Sequence, residues 1–436
     1  MRFCGREKEL EQLREIRGLS AEHSQFTVVT GRRRIGKTSL ILKSAEGTRF
    51  IYLFVSRVTQ QLLCQEMQDT LMAEGIEVIG QMSKFGEILK AVMLHSRQEN
   101  VTLIIDEFQD FEYVDRTIFQ DIQNVWDRYK DGTRTNLIVC GSVHSMMTRI
   151  FENDKEPLFG RPNFKIVLNP LPVSVMEKIL GEHNPDFTSR DLLTLFMLTG
   201  GVPKYIEVLM DSNAANAESM LNAVASVGSI FLADGRDLMV AEFGKEYRTY
   251  FSIMQLISSG KEKRTEIEDV LGMEVGAYLK KLEEEYNLVK HFSPVFSKQG
   301  GRITRWVVSD MYLKFYFRFI RPATAYVESG RYDLILRSIE SGIQEYEGRA
   351  LEEFFRRRIS EEDTYTEIGC YWTKNGEIEI DIAVIDDITK NIRFIEVKRN
   401  SKKLDLAELE RKCETLQGKT AGYPVSYGGL SLDDVR

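Results

Sequence analysis

The stretch GRRRIGKTSL, Gly31 to Leu40, limits the folds open to this 436-residue chain more than any other. It fits the pattern G-x-x-x-x-G-K-[ST] from Gly31 to Thr38, with an apolar strand, Phe26 to Thr30, directly before it and the helical run TSLILKSA directly after. In that setting the main-chain N–H groups of a glycine loop and the positive end of a helix converge on phosphate oxygens. The loop residues Gly31, Arg32, Arg33, Arg34, Ile35 and Gly36 are expected to wrap a nucleoside triphosphate, with Ser39 beside them. Lys37 reaches the β- and γ-phosphates, and the Thr38 hydroxyl binds Mg²⁺. The three loop arginines have main-chain duties; their side chains read as solvated and carry no argument for nucleic acid.

Magnesium in such a site also needs a carboxylate from a neighbouring strand. VTLIIDEFQDF supplies it: a buried strand ends in Asp106, placed near the metal, and Glu107 follows, placed to polarise the attacking water. The next strand, NLIVCGS, brings Ser142 to the same edge, as a hydroxyl for water or the γ-phosphate or simply as the polar start of a loop. FTVVTG, RFIYLFVS, VTLIIDE, NLIVCGS and FKIVLNP alternate with helical stretches up to about residue 168. That alternation is the pattern of an α/β fold with a parallel sheet covered on both faces.

At this length the chain needs more than one core. Composition is ordinary for a globular protein, with 43% hydrophobic and 28% charged residues. A net charge of -8 means that a nucleic-acid partner would have to be met by local basic patches. Cys4, Cys64, Cys140, Cys370 and Cys413 are scattered, without a C-x-x-C pair or nearby His at ligand spacing, which argues against a zinc site or a disulfide framework and for a reducing compartment. No apolar run has the length of a membrane span, so no membrane is expected and the protein reads as cytoplasmic. Periodicity divides the chain into a P-loop domain (1–168), a helical lid (169–238), a third module (239–320), and linker helices with a C-terminal α/β module (321–436).

The third module has short helices, a turn at Leu271-Gly272 and a hairpin turning at Gly300 and Gly301. It looks like a winged helix offering Tyr278, Lys280 and Lys281, with Lys298 and Arg302 on the wing. Glu283, Glu284 and Glu285 follow at once and would repel a phosphate backbone, so a packing role stands beside DNA contact. In the last module EIEIDIAVID sets Glu377, Glu379 and Asp381 on one strand face and Ile378, Ile380 and Ile382 on the other. The apolar strand of FIEVKRN carries Glu396 and, two residues on, Lys398, side chains that share a face. Asp381 and Glu396 on adjacent strands repel unless a cation lies between them, which suits Mg²⁺ or Mn²⁺. The plainer alternative is a solvated Glu396–Lys398 ion pair. Arg356, Arg357, Arg358, Arg399, Lys402 and Lys403 flank this module as candidates for phosphate contact.

As a set, FCGREKELEQL, the two nucleotide motifs, Gly141-Ser142, PLFGRPNFKIVLNPL and TGGVPKYI resemble the archaeal-type ATPases of the P-loop AAA and STAND-like group, over roughly the first 235 residues. The resemblance implies ATP as the nucleotide, Gly5 and Arg6 near the adenine, and the Gly201-Val202-Pro203 turn facing the nucleotide from the lid. It implies for Arg161 a charge-stabilising role within or between subunits, with Arg149 as competitor and a salt bridge as the alternative. The spacing from Asp381 to Glu396-Val397-Lys398 resembles the PD-(D/E)xK nuclease superfamily, although Ile380 stands where a proline is expected. That resemblance implies a restriction-endonuclease-like domain in which Asp381 and Glu396 hold the metal, Lys398 orients or deprotonates water, and Glu352 assists from the preceding helix, with Glu347 as the other choice. The order of modules implies an ATPase coupled to a metal-dependent nuclease acting on DNA, with a homo-oligomer left open. The alternative is an ATP-switch regulator or scaffold whose nuclease-like domain is inactive and only binds nucleic acid or a partner protein.

Overall fold

A computed structural model describes residues 2–243, 247–297, 303–362 and 364–436. They form two compact units, Arg2–Asn169 and Pro170–Arg436.

The N-terminal unit is built on five parallel strands, β1 (Gln25–Gly31), β2 (Phe50–Phe54), β3 (Val101–Asp106), β4 (Thr135–Cys140) and β5 (Phe164–Leu168), in the order β2-β3-β4-β1-β5. These are the five strands expected from the apolar runs. β3 and β4 are buried at every position, as a parallel sheet with helices on both faces requires. One face is filled by an aromatic cluster in which Phe26 meets Trp126 edge-on at 5.2 Å and Phe108 stacks on Phe151 at 5.4 Å. Because the strands are parallel, the glycine loop after β1, Asp106 at the end of β3 and Ser142 after β4 share the carboxyl edge of the sheet, where open α/β sheets bind ligands. Gly31 is required at the start of the loop: its φ is +148°, and a Cβ would stand 2.8 Å from the Leu168 carbonyl oxygen.

The C-terminal unit opens with helices from Val173–His183 to Ile230–Phe243, then Tyr247–Ser258, Arg264–Leu271 and Gly276–Glu284, and an antiparallel pair, β6 (Val289–Phe292) with β7 (Arg305–Val308). The turn expected at Gly300 and Gly301, with Lys298 and Arg302, lies outside the described residues. Two expectations are corrected here. The helix anticipated from about residue 345 begins at Tyr332 and runs unbroken to Glu362, because buried Ile335, Ile339 and Ile343 continue its apolar spacing backwards through the supposed connector. The C-terminal sheet has four strands and not three: β8 (Glu367–Trp372), β9 (Glu379–Asp386), β10 (Asn391–Lys398) and β11 (Val425–Ser431), ordered β11-β10-β9-β8. β11 joins β10 in parallel after the Leu406–Glu414 helix, and its Gly-Gly step hid it from a search for apolar alternation. Among the described residues no helix is long and apolar enough to cross a membrane.

Candidate functional site

The glycine loop turns through left-handed backbone at Arg34 (φ 70°) and Gly36 (φ 89°) before the Lys37–Ala45 helix begins. Lys37 is 7% exposed and folds back, its Nζ donating to the carbonyls of Gly31 at 2.8 Å and Arg32 at 3.0 Å. Burial pulls its ammonium below the ordinary value, against the attraction of the nearby acids. Arg33 and Ser39 are exposed, whereas Arg32 and Arg34 are half-buried. The Thr38 hydroxyl donates to Asp106 Oδ2 at 2.7 Å, so the two side chains expected to share Mg²⁺ are in contact. Tyr52 OH donates to the same oxygen at 2.8 Å and Cys140 Sγ to the other at 2.9 Å. Burial would raise the Asp106 carboxyl, but the hydrogen bonds from Cys140, Thr38 and Tyr52 outweigh it and hold it below the usual carboxylate value. The hydroxyl and the ionised carboxylate side by side fit a hard cation with oxygen ligands.

Glu107 lies in the left-handed region (φ 52°, ψ 42°), a conformation that costs a non-glycine residue about 1–3 kcal/mol and gathers at functional positions. Its Oε2 accepts from Ser142 Oγ at 2.8 Å and from Gln109 Nε2 at 2.7 Å. Lys37, Thr38, Asp106, Glu107 and Ser142 are thus brought together. Sequence reasoning missed Tyr52, Cys140 and Gln109; the strand position of Cys140 carried a signal, since it falls one step beyond the Ile105–Val139 pair, whereas Tyr52 is registered with Ile104 and reaches Asp106 through its hydroxyl. Gly5 (φ 69°) leads into Arg6, which is buried and donates to the Asn169 carbonyl at 2.7 Å and weakly to the Ile35 carbonyl at 3.4 Å. That arginine braces the loop through its main chain. Pro203 occupies the first turn of the Pro203–Asp211 helix in the C-terminal unit.

Arg161 is placed differently from a contact to its own chain's nucleotide. Its guanidinium pairs with Asp127 at 3.1 Å and caps the Phe159 carbonyl at 2.9 Å. Nearby Asn163 exchanges hydrogen bonds with Phe26 at the amino end of β1, whereas the glycine loop follows the carboxyl end, roughly 20 Å away along the strand. Arg161 thus stands just before β5, at the amino edge of the parallel sheet, and its guanidinium is engaged by Asp127. Arg149, the competitor, pairs with Glu112 at 3.1 Å.

In the C-terminal unit β9 and β10 pair antiparallel and bring Asp381, Glu396 and Lys398 together. Lys398 Nζ lies 3.3 Å from Asp381 Oδ2 and 3.2 Å from Glu396 Oε1. Asp381 also accepts from Val397 N at 2.8 Å, and Glu396, 6% exposed, from Asp405 N at 3.0 Å. Burial opposes the charge on Lys398, yet the two carboxylates hold its ammonium above the ordinary value. An ammonium between two carboxylates marks a place that calls for positive charge. Among the described residues no three His, Cys, Asp or Glu side chains converge as metal ligands, so a divalent ion would draw on these two carboxylates plus water or phosphate oxygens, as Mg²⁺ ordinarily does.

Glu352 and Asp381 line one cavity of about 410 Å³ with Lys314, Arg305 and Arg356. Burial pushes the Glu352 carboxyl up to about 7, opposed by Arg356 and assisted by Asp381. Glu347 is fully buried between Arg190 (3.0 Å) and Arg399 (2.6 Å), which gives it a structural position away from that cavity. The flanking arginines are taken up inside the unit: Arg356 by Glu352, Glu353 and the Asp381 carbonyl, Arg357 by the Gly200 carbonyl and the Phe196 ring, Arg358 by Glu177 and Glu362. Lys402 and Lys403 remain exposed.

Comparison with known proteins matches two regions of the chain, the first running past the boundary between the two compact units. Residues 3–209 match the family model described as an ATPase domain predominantly from Archaea. Residues 316–411 match one described as "Archaea bacterial proteins of unknown function". The uncharacterized protein MJECL04 of Methanocaldococcus jannaschii is 27% identical over 429 residues, covering 94% of this chain and 90% of that protein. Among solved structures, the Walker-type ATPase PABY2304 of Pyrococcus abyssi aligns with a TM-score of 0.54 at 16% identity, over 73% of this chain and 98% of its own. The Aeropyrum pernix ORC2 protein aligns at 0.44 and 18% identity, over 78% of this chain and 96% of its own. The chain thus carries an archaeal-type ATPase domain on a P-loop fold, joined to a C-terminal sheet domain.

Proposed function

We propose that this protein couples ATP hydrolysis to a metal-dependent nuclease of the PD-(D/E)xK type that acts on DNA. In the ATPase half, the main chain from Gly31 to Gly36 and Lys37 bind the phosphates, with the Gly5-Arg6 segment completing the nucleotide set. Thr38 and Asp106 would hold Mg²⁺, which neutralises phosphate charge when bound. Glu107 polarises the attacking water, and Ser142 steadies it. In the C-terminal half, the third module, 239–320, is read as a winged helix. Asp381 and Glu396 would hold Mg²⁺ or Mn²⁺, Lys398 orients the attacking water and offsets the developing charge, and Glu352, with a carboxyl near neutral pH, accepts or returns a proton.

The observation that carries the nuclease assignment is the convergence of Lys398 Nζ on both carboxylates across two adjacent strands. The test is cleavage of DNA by the full chain with Mg²⁺ and with Mn²⁺, with and without ATP. Asp381→Ala should abolish cleavage while ATP hydrolysis persists, and Lys398→Ala should keep Mn²⁺ binding but cut slowly. Equal cleavage by Asp381→Ala and the parent would remove Asp381 from the site.

A second reading is favoured by one observation: Lys398 already satisfies both acids and the helix arginines are spent on internal partners. On that reading the domain binds nucleic acid or a partner protein without cutting, and the protein is an ATP-controlled regulator. DNA retention without cleavage in either metal would select it.

A further inference from the structure

Gln109 was assigned no task by the motif, yet it is the most constrained polar side chain beside Glu107. It is 1% exposed, and its Nε2 donates to Glu107 Oε2 at 2.7 Å while lying 3.2 Å from Asp110 Oδ1. Its Oε1 is buried without a hydrogen-bond partner. Charge explains this orientation, because the opposite one would set the amide oxygen against two carboxylates. Room for the amide exists only because residue 141 is glycine: a Cβ there would stand 2.3 Å from Gln109 Oε1 and 2.4 Å from Met147 Sδ. Asp110 is occupied from the other side by Arg57, which donates to its two oxygens at 2.8 and 3.0 Å and lies over the Tyr113 ring. With Asp110 so neutralised, the shorter bond of Gln109 goes to Glu107.

We propose that Gln109 is a positioning residue for ATP hydrolysis: its Nε2–H acts with the Ser142 hydroxyl to pin the Glu107 carboxylate in the orientation from which it polarises water. This rests on the assignment of Glu107 above. It adds a requirement that the motif does not contain, an amide donor two residues beyond the glutamate and a glycine after β4 to admit it.

The experiment measures ATP turnover of the full chain carrying Gln109→Met, Gln109→Glu or Glu107→Gln. Methionine nearly preserves the length and volume of glutamine but donates nothing, so packing is kept while the hydrogen bond is lost. Expected for Gln109→Met is a fall in kcat of about 10- to 100-fold with KM for ATP within about twofold, since misorientation of one group by about an ångström has that effect. Gln109→Glu sets a further carboxylate against Glu107, so the acid limb of its kcat–pH profile should move to higher pH. Parental turnover in Gln109→Met overturns the inference. So does a loss that merely follows the loss of folded protein, with the acid limb unmoved in Gln109→Glu. Full turnover in Glu107→Gln would strike at the Glu107 assignment itself, whereas loss in Glu107→Gln beside full turnover in Gln109→Met would sink only the role of Gln109.

Discussion

Single side chains in this protein acquire their chemistry from what surrounds them, and Glu352 has a consequence in pH. In an unfolded chain its carboxyl titrates at its ordinary value of 4.5; in the folded unit burial raises it to about 7. The folded state therefore holds a proton that the unfolded state has released, and stability falls as pH rises from about 4.5 through about 7. The contribution is fully present below that window and lost above it. Glu352→Gln keeps a neutral side chain at every pH, so its thermal midpoint should decline less than the parent's between pH 5 and pH 8. Parallel midpoint curves for the two proteins would refute the raised value. That glutamate was chosen from a motif resemblance, but its proton affinity depends on Arg356, Asp381 and the surrounding walls, which no local stretch of sequence contains.

At the scale of elements, the Tyr332–Glu362 helix organises the C-terminal unit. Its apolar residues Ile335, Ile339, Ile343, Tyr346, Ala350 and Phe354 recur at helical spacing, yet Glu347 is buried among them. Successive residues turn by about 100°, so Arg356, Arg357 and Arg358 reach three different neighbourhoods: the cavity wall, the Gly200 carbonyl and Glu177. Glu347 joins the Ser189–Thr199 helix, through Arg190, to Arg399, the residue after Lys398. Glu347→Ala leaves two guanidinium groups without their shared partner. Removing one member of a fully enclosed pair costs about 3–5 kcal/mol, and since both arginines here are partly exposed the loss should be nearer 2–3 kcal/mol, read from denaturant unfolding. A change below about 0.5 kcal/mol would show that solvent already carries those charges.

For the whole molecule, sheet polarity decides what Arg161 can do. At the amino edge of the sheet it is too far from its own glycine loop, so any contact with a γ-phosphate would have to be made in another copy of the chain. On that basis Arg161→Ala should bind ATP as the parent does and lose turnover by up to about 10³-fold. Mixing it with Lys37→Ala chains should restore part of the activity, because one protein supplies the intact loop and the other the arginine. Unchanged turnover in Arg161→Ala would leave that residue with only its Asp127 pair.

The P-loop strand, the loop and the Asp106-Glu107 pair were legible from sequence because each is a local pattern: a strand, a glycine turn and a helix must be contiguous for main-chain N–H groups to meet phosphate. The alternation in EIEIDIAVID likewise placed Asp381 on the polar side of its strand, since side-chain direction has a period of two. Tertiary structure decided the rest, and in each case the cause is contact between segments distant in the chain. Gln109 acts only because Gly141 makes room for it, β11 exists because β10 offers it an edge, and Arg161 is removed from its own glycine loop by the length of β1. Glu347 and Glu352 sit five residues apart on one helix, yet the folded chain locks the first between arginines and opens the second onto a cavity beside Asp381. Burial and charge neighbours are properties of the assembled core, and a linear pattern of residues does not specify them.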